Sequence, residues 1–299
     1  MSAEAGVGGR ERRWLPWLAY ITCIAIWGTT WMAHKWALED LTPGGLIGWR
    51  FLCAGLLCVM IARWRSEAFV RRAHLPPLIL AGLFLSGICN VVTAWTLQWI
   101  PSGVGAVLQA PIPVWMALLT WRSEPLKLSA WVGVLLGFAG VALVMWPDQA
   151  IAMPVLPAII CVLMAGAWSW ASLYQRRHVH SGGLYSNAGV QMLISGCLSV
   201  VLTPLFGGYT QHGEVGWQAL AATAYLTIGG SCIAFACYLY LTQVWHPARA
   251  GSFSYLTPLI AVLIGWAVGG EAITSRLLLG MAVILLAVAV LQWASAARR

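Results

Sequence analysis

Charge is what this sequence has least of. Only 9% of its 299 residues are Asp, Glu, Lys or Arg, against about 25% in soluble globular chains. A water-soluble fold of this size would have to clothe its surface in apolar side chains, so a soluble enzyme is excluded first. Lysine is down to two copies, Lys35 after His34 and Lys127 after Leu126. The phosphate-cradling motif G-x-x-x-x-G-K-S/T needs a Gly-Lys pair, so ATP hydrolysis by that route has no residues to stand on. H-E-x-x-H, G-x-S-x-G and paired carboxylates within apolar runs are missing too, and no enzyme activity is expected. The eight cysteines (23, 53, 58, 89, 161, 197, 232 and 237) form no C-x-x-C pair and all fall in apolar runs. Neither a disulfide, a metal site nor any other cofactor is expected from them. The net charge of +8 is not gathered into a basic stripe on a soluble face, so nucleic acid is not expected as a partner.

What remains is hydrophobic. Residues of the apolar and aromatic classes make up 60% of the chain and mean hydropathy is +0.79. A helix needs roughly 20 apolar residues to cross a bilayer. Ten runs of that kind can be marked, at about 15–36, 43–63, 75–99, 102–121, 129–146, 153–175, 183–206, 217–241, 248–269 and 276–296. The runs are continuous rather than alternating, which selects helices over barrel strands. The first lacks a small-residue cleavage site and carries His34 and Lys35 near its end, so it reads as a span rather than a cleaved leader.

Loop charge orients the chain. With the N-terminus inside, 14 of the 17 Lys and Arg residues fall on cytoplasmic segments, among them Arg63, Arg65, Arg71, Arg72, Arg122, Lys127, Arg176, Arg177 and Arg249. Lys35, Arg50 and Arg276 remain on the outer side, where Glu39, Asp40, Asp148, Glu214 and Glu271 also lie. An even number of spans with both termini cytoplasmic satisfies the positive-inside rule.

An internal repeat is the most informative pattern. Shifting the chain by 147 residues lays Pro111 on Pro258, Glu124 on Glu271, Gly133 on Gly280 and Trp146 on Trp293. A shift of 141 lays Trp27 on Trp168 and Lys35 on Arg176. The expected fold is therefore an all-α integral membrane protein of ten transmembrane helices built as a 5+5 inverted repeat. Residues 1–14 form a cytoplasmic tail, 15–147 the first repeat and 148–299 the second. Five is odd, so the second half enters the membrane upside down. Inverted repeats of this sort give a transporter two equivalent gates around a midplane site.

With this layout the chain resembles the EamA-type branch of the drug/metabolite transporter superfamily, and is most similar there to the YddG-like amino-acid exporters. The residues behind the resemblance are Trp27-Gly28-Thr29-Thr30-Trp31, Ala110-Pro111 followed by Glu124, and Thr257-Pro258 followed by Gly269-Gly270-Glu271. The resemblance implies a multi-pass protein of the bacterial inner membrane with a central substrate cavity. Helices 1, 3, 4 and 6, 8, 9 would be its walls, with 5 and 10 peripheral. The implied partners are a small-molecule substrate, such as an amino acid or metabolite, and the lipid bilayer. The oligomeric state is left open, a monomer included.

Polar and aromatic groups deep in the runs are the candidates for such a cavity. They are Trp27, Ser86, Asn90, Gln109, Trp115, Trp168, Ser172, Ser231, Tyr238, Ser254 and Tyr255. A buried Asn or Gln needs partners in lipid, so Asn90 and Gln109 face protein or a wet hollow; interhelical bonding serves either. Pro111, Pro113 and Pro258 interrupt helices 4 and 9. Pro111 and Pro258, at equivalent places, read as hinges or as static kinks. His34 and Lys35 read as anchors reaching towards the outer interface. Arg50 could hold a substrate carboxylate, but an ion pair with Glu39 or Asp40 is the favoured reading. Glu124 and Glu271 are expected to cap the helices that follow them. The glycines of helices 5 and 9 are expected to serve close packing. The absence of a mid-span carboxylate leans towards facilitated diffusion over proton coupling. The expected function is export of amino acids or similar amphipathic metabolites by alternating access. A multidrug exporter, a membrane-embedded enzyme and a channel are the rivals.

Overall fold

The computed structural model describes residues 14–122, 128–146, 153–245, 250–251 and 253–296. Helix dominates, and among the described residues the one strand-like feature is an isolated bridge between Leu41 and Thr210. We number the helices in chain order. α1 is Leu15–Asp40 and α2 is Pro43–Trp64. α3 comprises Leu75–Gly82, Leu83–Ile88 and Cys89–Leu97, and α4 comprises Ser102–Gln109 and Ile112–Thr120. α5 is Leu128–Met145, α6 Val155–His178 and α7 Leu184–Leu202. α8 comprises Trp217–Tyr225, Leu226–Ala234 and Phe235–Val244; α9 is Phe253–Gly269 and α10 Ser275–Ala296.

Six helical stretches among the described residues are long and apolar enough to cross a membrane: Pro43–Trp64, Arg72–Leu97, Ser102–Thr120, Val155–His178, Leu184–Phe206 and Trp217–Val244. Trp131–Met145, Leu256–Gly269 and Ser275–Val290 are shorter apolar helices. α1 is long, at 26 residues, but its second half is polar, with Thr29, Thr30, His34, Lys35, Glu39 and Asp40. The surface is largely apolar, and a minority of polar residues is buried within a mostly hydrophobic interior. Leu135, Val201 and Trp266 are exposed, while Arg50, Gln191, Ser86 and Ser169 are buried. An apolar exterior suits a lipid surround; of these buried polar groups, Arg50 and Ser169 are hydrogen-bonded, while the side chains of Ser86 and Gln191 have no partner among the described residues.

The two most extensive helix contacts are α2 with α7 and α5 with α10. Both join helices that the repeat makes equivalent. Glycines bring them together. On α2, Gly48 lies against Val200 and Gly55 against Leu193; on α7, Gly189 lies against Val59 and Gly196 against the backbone of Leu52. Residue numbers rise along one helix as they fall along the other, so α2 and α7 run antiparallel. Gly137, Gly140 and Gly280 give the same order, facing Ala287, Ile284 and Val144. α5 and α10 are therefore antiparallel as well. Small residues at such crossings let backbones approach and gain dispersion contact, which is what holds helices together in lipid.

Loops from one half tie down helix ends of the other. Thr42 caps α2 by accepting from Gly45 N at 3.1 Å, and its hydroxyl donates to Gly208 O at 2.7 Å. Glu67 accepts from the N–H groups of Tyr185 and Ser186 at 2.8 and 3.0 Å, at the start of α7. Asp40 accepts from Gly216 N at 2.8 Å, just before α8. Glu271 does not cap the helix after it. Its carboxylate reaches back to the N–H groups of Ser102 and Gly103 at 2.6 and 2.9 Å, at the start of α4. Thr274 caps α10 instead, accepting from Leu277 N at 3.2 Å. The free N–H groups and dipole of the α4 terminus favour a carboxylate there. Glu124 lies outside the described residues.

The two ends of the bundle differ in charge. At one end Arg71 N donates to Ser181 Oγ, Gly183 N to Ala68 O and Arg176 to Trp245 O. Trp17, near the start of α1, packs on Trp245 with ring centroids 5.3 Å apart. These contacts gather the segments bearing Arg63, Arg65, Arg71, Arg72, Arg176 and Arg177. Asp40 and Glu271 hold helix starts at the opposite end.

Gly196 offers a direct check on the crossing of α2 and α7, because a side chain there would enter the backbone of Leu52. Gly196→Val should cost about 1–3 kcal/mol. Cys197→Val, on the adjacent exposed position, should change stability by less than about 0.5 kcal/mol. Thermal unfolding of the detergent-purified protein measures both.

Candidate functional site

Regular helix leaves no spare hydrogen-bonding groups, so polar chemistry inside a bundle begins where helices depart from regularity. α3 and α8 each contain wide π-helical turns, at Leu83–Ile88 and Leu226–Ala234. Turns of this type recur at functional sites. In α3 the side chain of Asn90 donates to Leu85 O at 2.6 Å; in α8 the Ser231 hydroxyl donates to Leu226 O at 3.2 Å. Leu226 and Ser231 follow Leu85 and Asn90 by 141 residues, the shift that lays Trp27 on Trp168.

α4 is broken where Pro111 and Pro113 withdraw two N–H donors. The break is stitched to other helices. Ser254 of α9 donates to Ala110 O at 3.3 Å, and Ser169 of α6 donates to Ile112 O at 3.0 Å. Pro258 stands inside α9. α9 continues unbroken through Pro258, so of the equivalent prolines only Pro111 interrupts its helix; the two helices pack on each other, with Gly103 of α4 against Val262 of α9.

Between these irregular segments lies a central cavity of about 110 Å³. Its wall includes Trp27, Thr30, Trp31 and His34 of α1, Arg50 of α2, Asn90 and Thr93 of α3 and Gln109 of α4. Trp168 of α6, with Phe253, Ser254 and Thr257 of α9, completes much of it. Gln109 donates to Thr93 Oγ1 at 2.9 Å, which leaves its amide oxygen as an acceptor. Small polar groups set among indoles and aliphatic side chains make this wall amphipathic.

The electrostatic feature of the cavity is Arg50, only 4% exposed. Its Nε donates to Ser231 Oγ at 2.9 Å and its Nη1 to His34 Nε2 at 2.8 Å. An arginine can only donate, so His34 Nε2 carries no proton. His34 Nδ1 faces Thr30 O at 2.7 Å and must be the protonated nitrogen. The favoured expectation of an Arg50 ion pair with Glu39 or Asp40 is corrected here. Asp40, at the end of α1, is turned to Gly216, and Glu39 is exposed. Arg50 sits two turns into α2 with its side chain drawn inwards. His34 likewise lines the cavity rather than reaching for the interface.

A second cavity, of about 430 Å³, lies at the arginine-rich end. Ser172, Gln175, Arg176, His180, Asn187 and Tyr238 are in its wall. An aromatic cluster stands between the two. Trp27 packs on Phe253, Tyr238 and Trp168 with centroids 4.6, 5.5 and 6.1 Å apart, and Tyr238 touches Phe253 and Trp168 at 5.5 and 6.0 Å. Two of the polar tips are tethered, while Trp168 Nε1 is buried with no hydrogen-bond partner among the described residues. Trp27 Nε1 donates to Gly230 O at 3.1 Å and the Tyr238 hydroxyl to Ser172 Oγ at 2.8 Å. Tyr238 is the largest side chain fully buried among the described residues.

Of the residues singled out in the sequence, Trp27, Asn90, Gln109, Trp168 and Ser254 meet at the central cavity. Ser231 lies behind Arg50 rather than in the wall, and Ser172 and Tyr238 line the second cavity instead, with Tyr238 packed on the rings of Trp27, Trp168 and Phe253. Two further expectations are corrected. Ser86 is buried away from the cavity, and Trp115 packs edge-on to Phe138 and against Gly166. Trp115 sits beyond the break in α4, which turns it to a different neighbour. The side chain of Tyr255 lies outside the described residues. Arg50 and His34 join Trp27 and its neighbours in the cavity wall. The signal was present, because an ionisable group within a span is a functional candidate by default.

Comparison with known proteins now bears on this geometry. The sequence profile of the EamA-like transporter family matches residues 14–146 and again residues 156–293. The chain is 30% identical over 283 residues to the uncharacterized inner membrane transporter YedA of Escherichia coli K12, covering 93% of this chain and 91% of that protein. It is 24% identical to the uncharacterized transporter YvbV of Bacillus subtilis, covering 92% and 91% of the two chains. A WAT1-related chloroplastic protein of Arabidopsis thaliana is 25% identical, over 94% of this chain and 70% of its own length. A solved crystal structure, 20% identical, superposes with a TM-score of 0.68 over 91% of this chain and 94% of that one. That likeness is one of fold.

The aromatic cluster predicts a change in access. Cys89 lines the central cavity. In a chain whose other cysteines are replaced by alanine, Tyr238→Ala should raise the rate at which a maleimide added to the Arg176 face modifies Cys89. Tyr238→Phe, which keeps the ring, should leave the rate near that of the parent.

Proposed function

The chain belongs to the EamA-like transporter family and is a multi-pass transporter of the inner membrane, and from this we propose that it exports amino acids or similar small amphipathic metabolites by alternating access. In this reading ten helices span the bilayer as inverted repeats, 15–147 and 148–299, after a cytoplasmic tail at 1–14, with both termini inside. The antiparallel crossings of α2 with α7 and α5 with α10 support the inversion. The gathering of arginines at one end supports the orientation, since that end then faces the cytoplasm.

The observation that carries the transport reading is the central cavity at the junction of the repeats, separated from a cavity at the arginine-rich end by one layer of aromatic rings. Trp27, Asn90, Gln109, Trp168 and Ser254 are its solute-facing set. Tyr238 with Ser172 closes it on the inner side. Pro111 and Pro258 let α4 and α9 bend as that layer parts. Trp27 and Trp168, equivalent in the repeats, stand edge-to-face at 90°, so a small relative rotation of the halves separates them. Such a layer passes solute by opening, and it bars water and ions when shut.

Counterflow in proteoliposomes tests the proposal. Vesicles loaded with one unlabelled amino acid at a time should accumulate the labelled form transiently for at least one of the twenty. No flux above protein-free vesicles for any of them contradicts the amino-acid reading.

A further inference from the structure

We propose that Arg50 is the anion-binding site of the central cavity, and that the solute docks on it through a single carboxylate. The inference rests on the cavity being the transport path and specifies what it recognises.

Arg50 is buried in a span, and among the described residues no carboxylate lies within ion-pair distance of it. The ion pair found there, Arg65 with Glu67 at 3.9 Å, lies beyond the span at the arginine-rich end. Two of its five N–H donors are engaged, by Ser231 and His34. The ring of Phe51, 4.7 Å from its Cζ, offers partial compensation. A buried cation left without its counter-charge is costly. Here the two engaged partners are neutral and fix the guanidinium at the cavity wall, which leaves donors for a planar acid group.

The fold itself does not require this charge. The shift of 141 residues lays Arg50 on Gln191, His34 on Gln175 and Asn90 on Ser231. Gln191 and Gln175 hold the equivalent places in the second repeat with no charge at all. A group needed only to close the bundle would be expected in both halves. The asymmetry instead assigns the charge to one side of one cavity.

Charge count and shape choose the ligand. His34 is neutral while it accepts from Arg50, so the wall carries one positive charge. That matches a monocarboxylate better than a doubly charged phosphate. The remaining wall accepts the rest of an amino acid. The free oxygen of Gln109 and the faces of Trp27 and Trp168 can receive an ammonium group, and Trp31, Leu97 and Phe253 can receive an apolar side chain.

The test uses purified, detergent-solubilised protein and matched ligands. Phenylalanine, 3-phenylpropionate and phenethylamine form one series; leucine, 4-methylpentanoate and isoamylamine form the other. Thermal-shift titration should show the carboxylate-bearing members of at least one series binding about tenfold or more tightly than the amine. Arg50→Gln should abolish that preference, Arg50→Lys should retain part of it, and Ser231→Ala should weaken it. Equal or tighter binding of the amines overturns the proposal, as does tighter binding of inorganic phosphate or no binding of either acid. The wild-type comparison decides even if Arg50→Gln fails to fold. Carboxylate-selective binding without counterflow upholds the site and overturns the transport reading instead.

Discussion

Hydrocarbon offers no water to a stray backbone group, and the breaks, open turns and exposed helix starts of this chain are answered by polar side chains, some from the same helix and some from across the bundle. The breaks at Ala110 and Ile112 are answered by Ser254 and Ser169. The open turns of α3 and α8 are answered by Asn90 and Ser231. The exposed starts of α4, α7 and the segment before α8 are answered by Glu271, Glu67 and Asp40. These three carboxylates are spent on capping helices of the opposite half. The bonds at the break of α4 and at these helix starts join the halves, and among the described residues the guanidinium of Arg50 has no acid of its own.

Much of this was legible in the sequence, for physical reasons. Long apolar runs, arginine-rich loops and a proline-bearing repeat are local patterns, and each translates into a helix, an end or an interruption. The glycines of α5 were readable as packing residues for the same reason. Direction of reach was not. Glu271 looked like a cap for the nearest helix because sequence measures distance along the chain, whereas its carboxylate serves Ser102 and Gly103 across the bundle. Arg50 with Asp40 looked like a pair by nearness and sign, yet Asp40 was claimed by Gly216. Trp115 lies a turn beyond Pro111, and only the bend at that proline decides where it faces. In each case the outcome hung on which distant backbone group was left open.

The repeat is symmetric in backbone and asymmetric in chemistry. Trp27 with Trp168, and the open turns of α3 and α8, keep the two halves alike. Arg50 and His34, in the wall of the central cavity, against Gln191 and Gln175 set them apart.

The central claim is that the arginine-rich end must open for the cavity to be emptied and refilled. Locking that end tests it most directly. Trp17 and Trp245 are in contact there, so a chain with cysteine at both positions and alanine at its native cysteines can be bridged by a bifunctional methanethiosulfonate reagent long enough to span the space the two indoles filled. The account predicts that solute exchange stops on cross-linking and returns with reductant. Exchange that proceeds unchanged with the end pinned shut would contradict it.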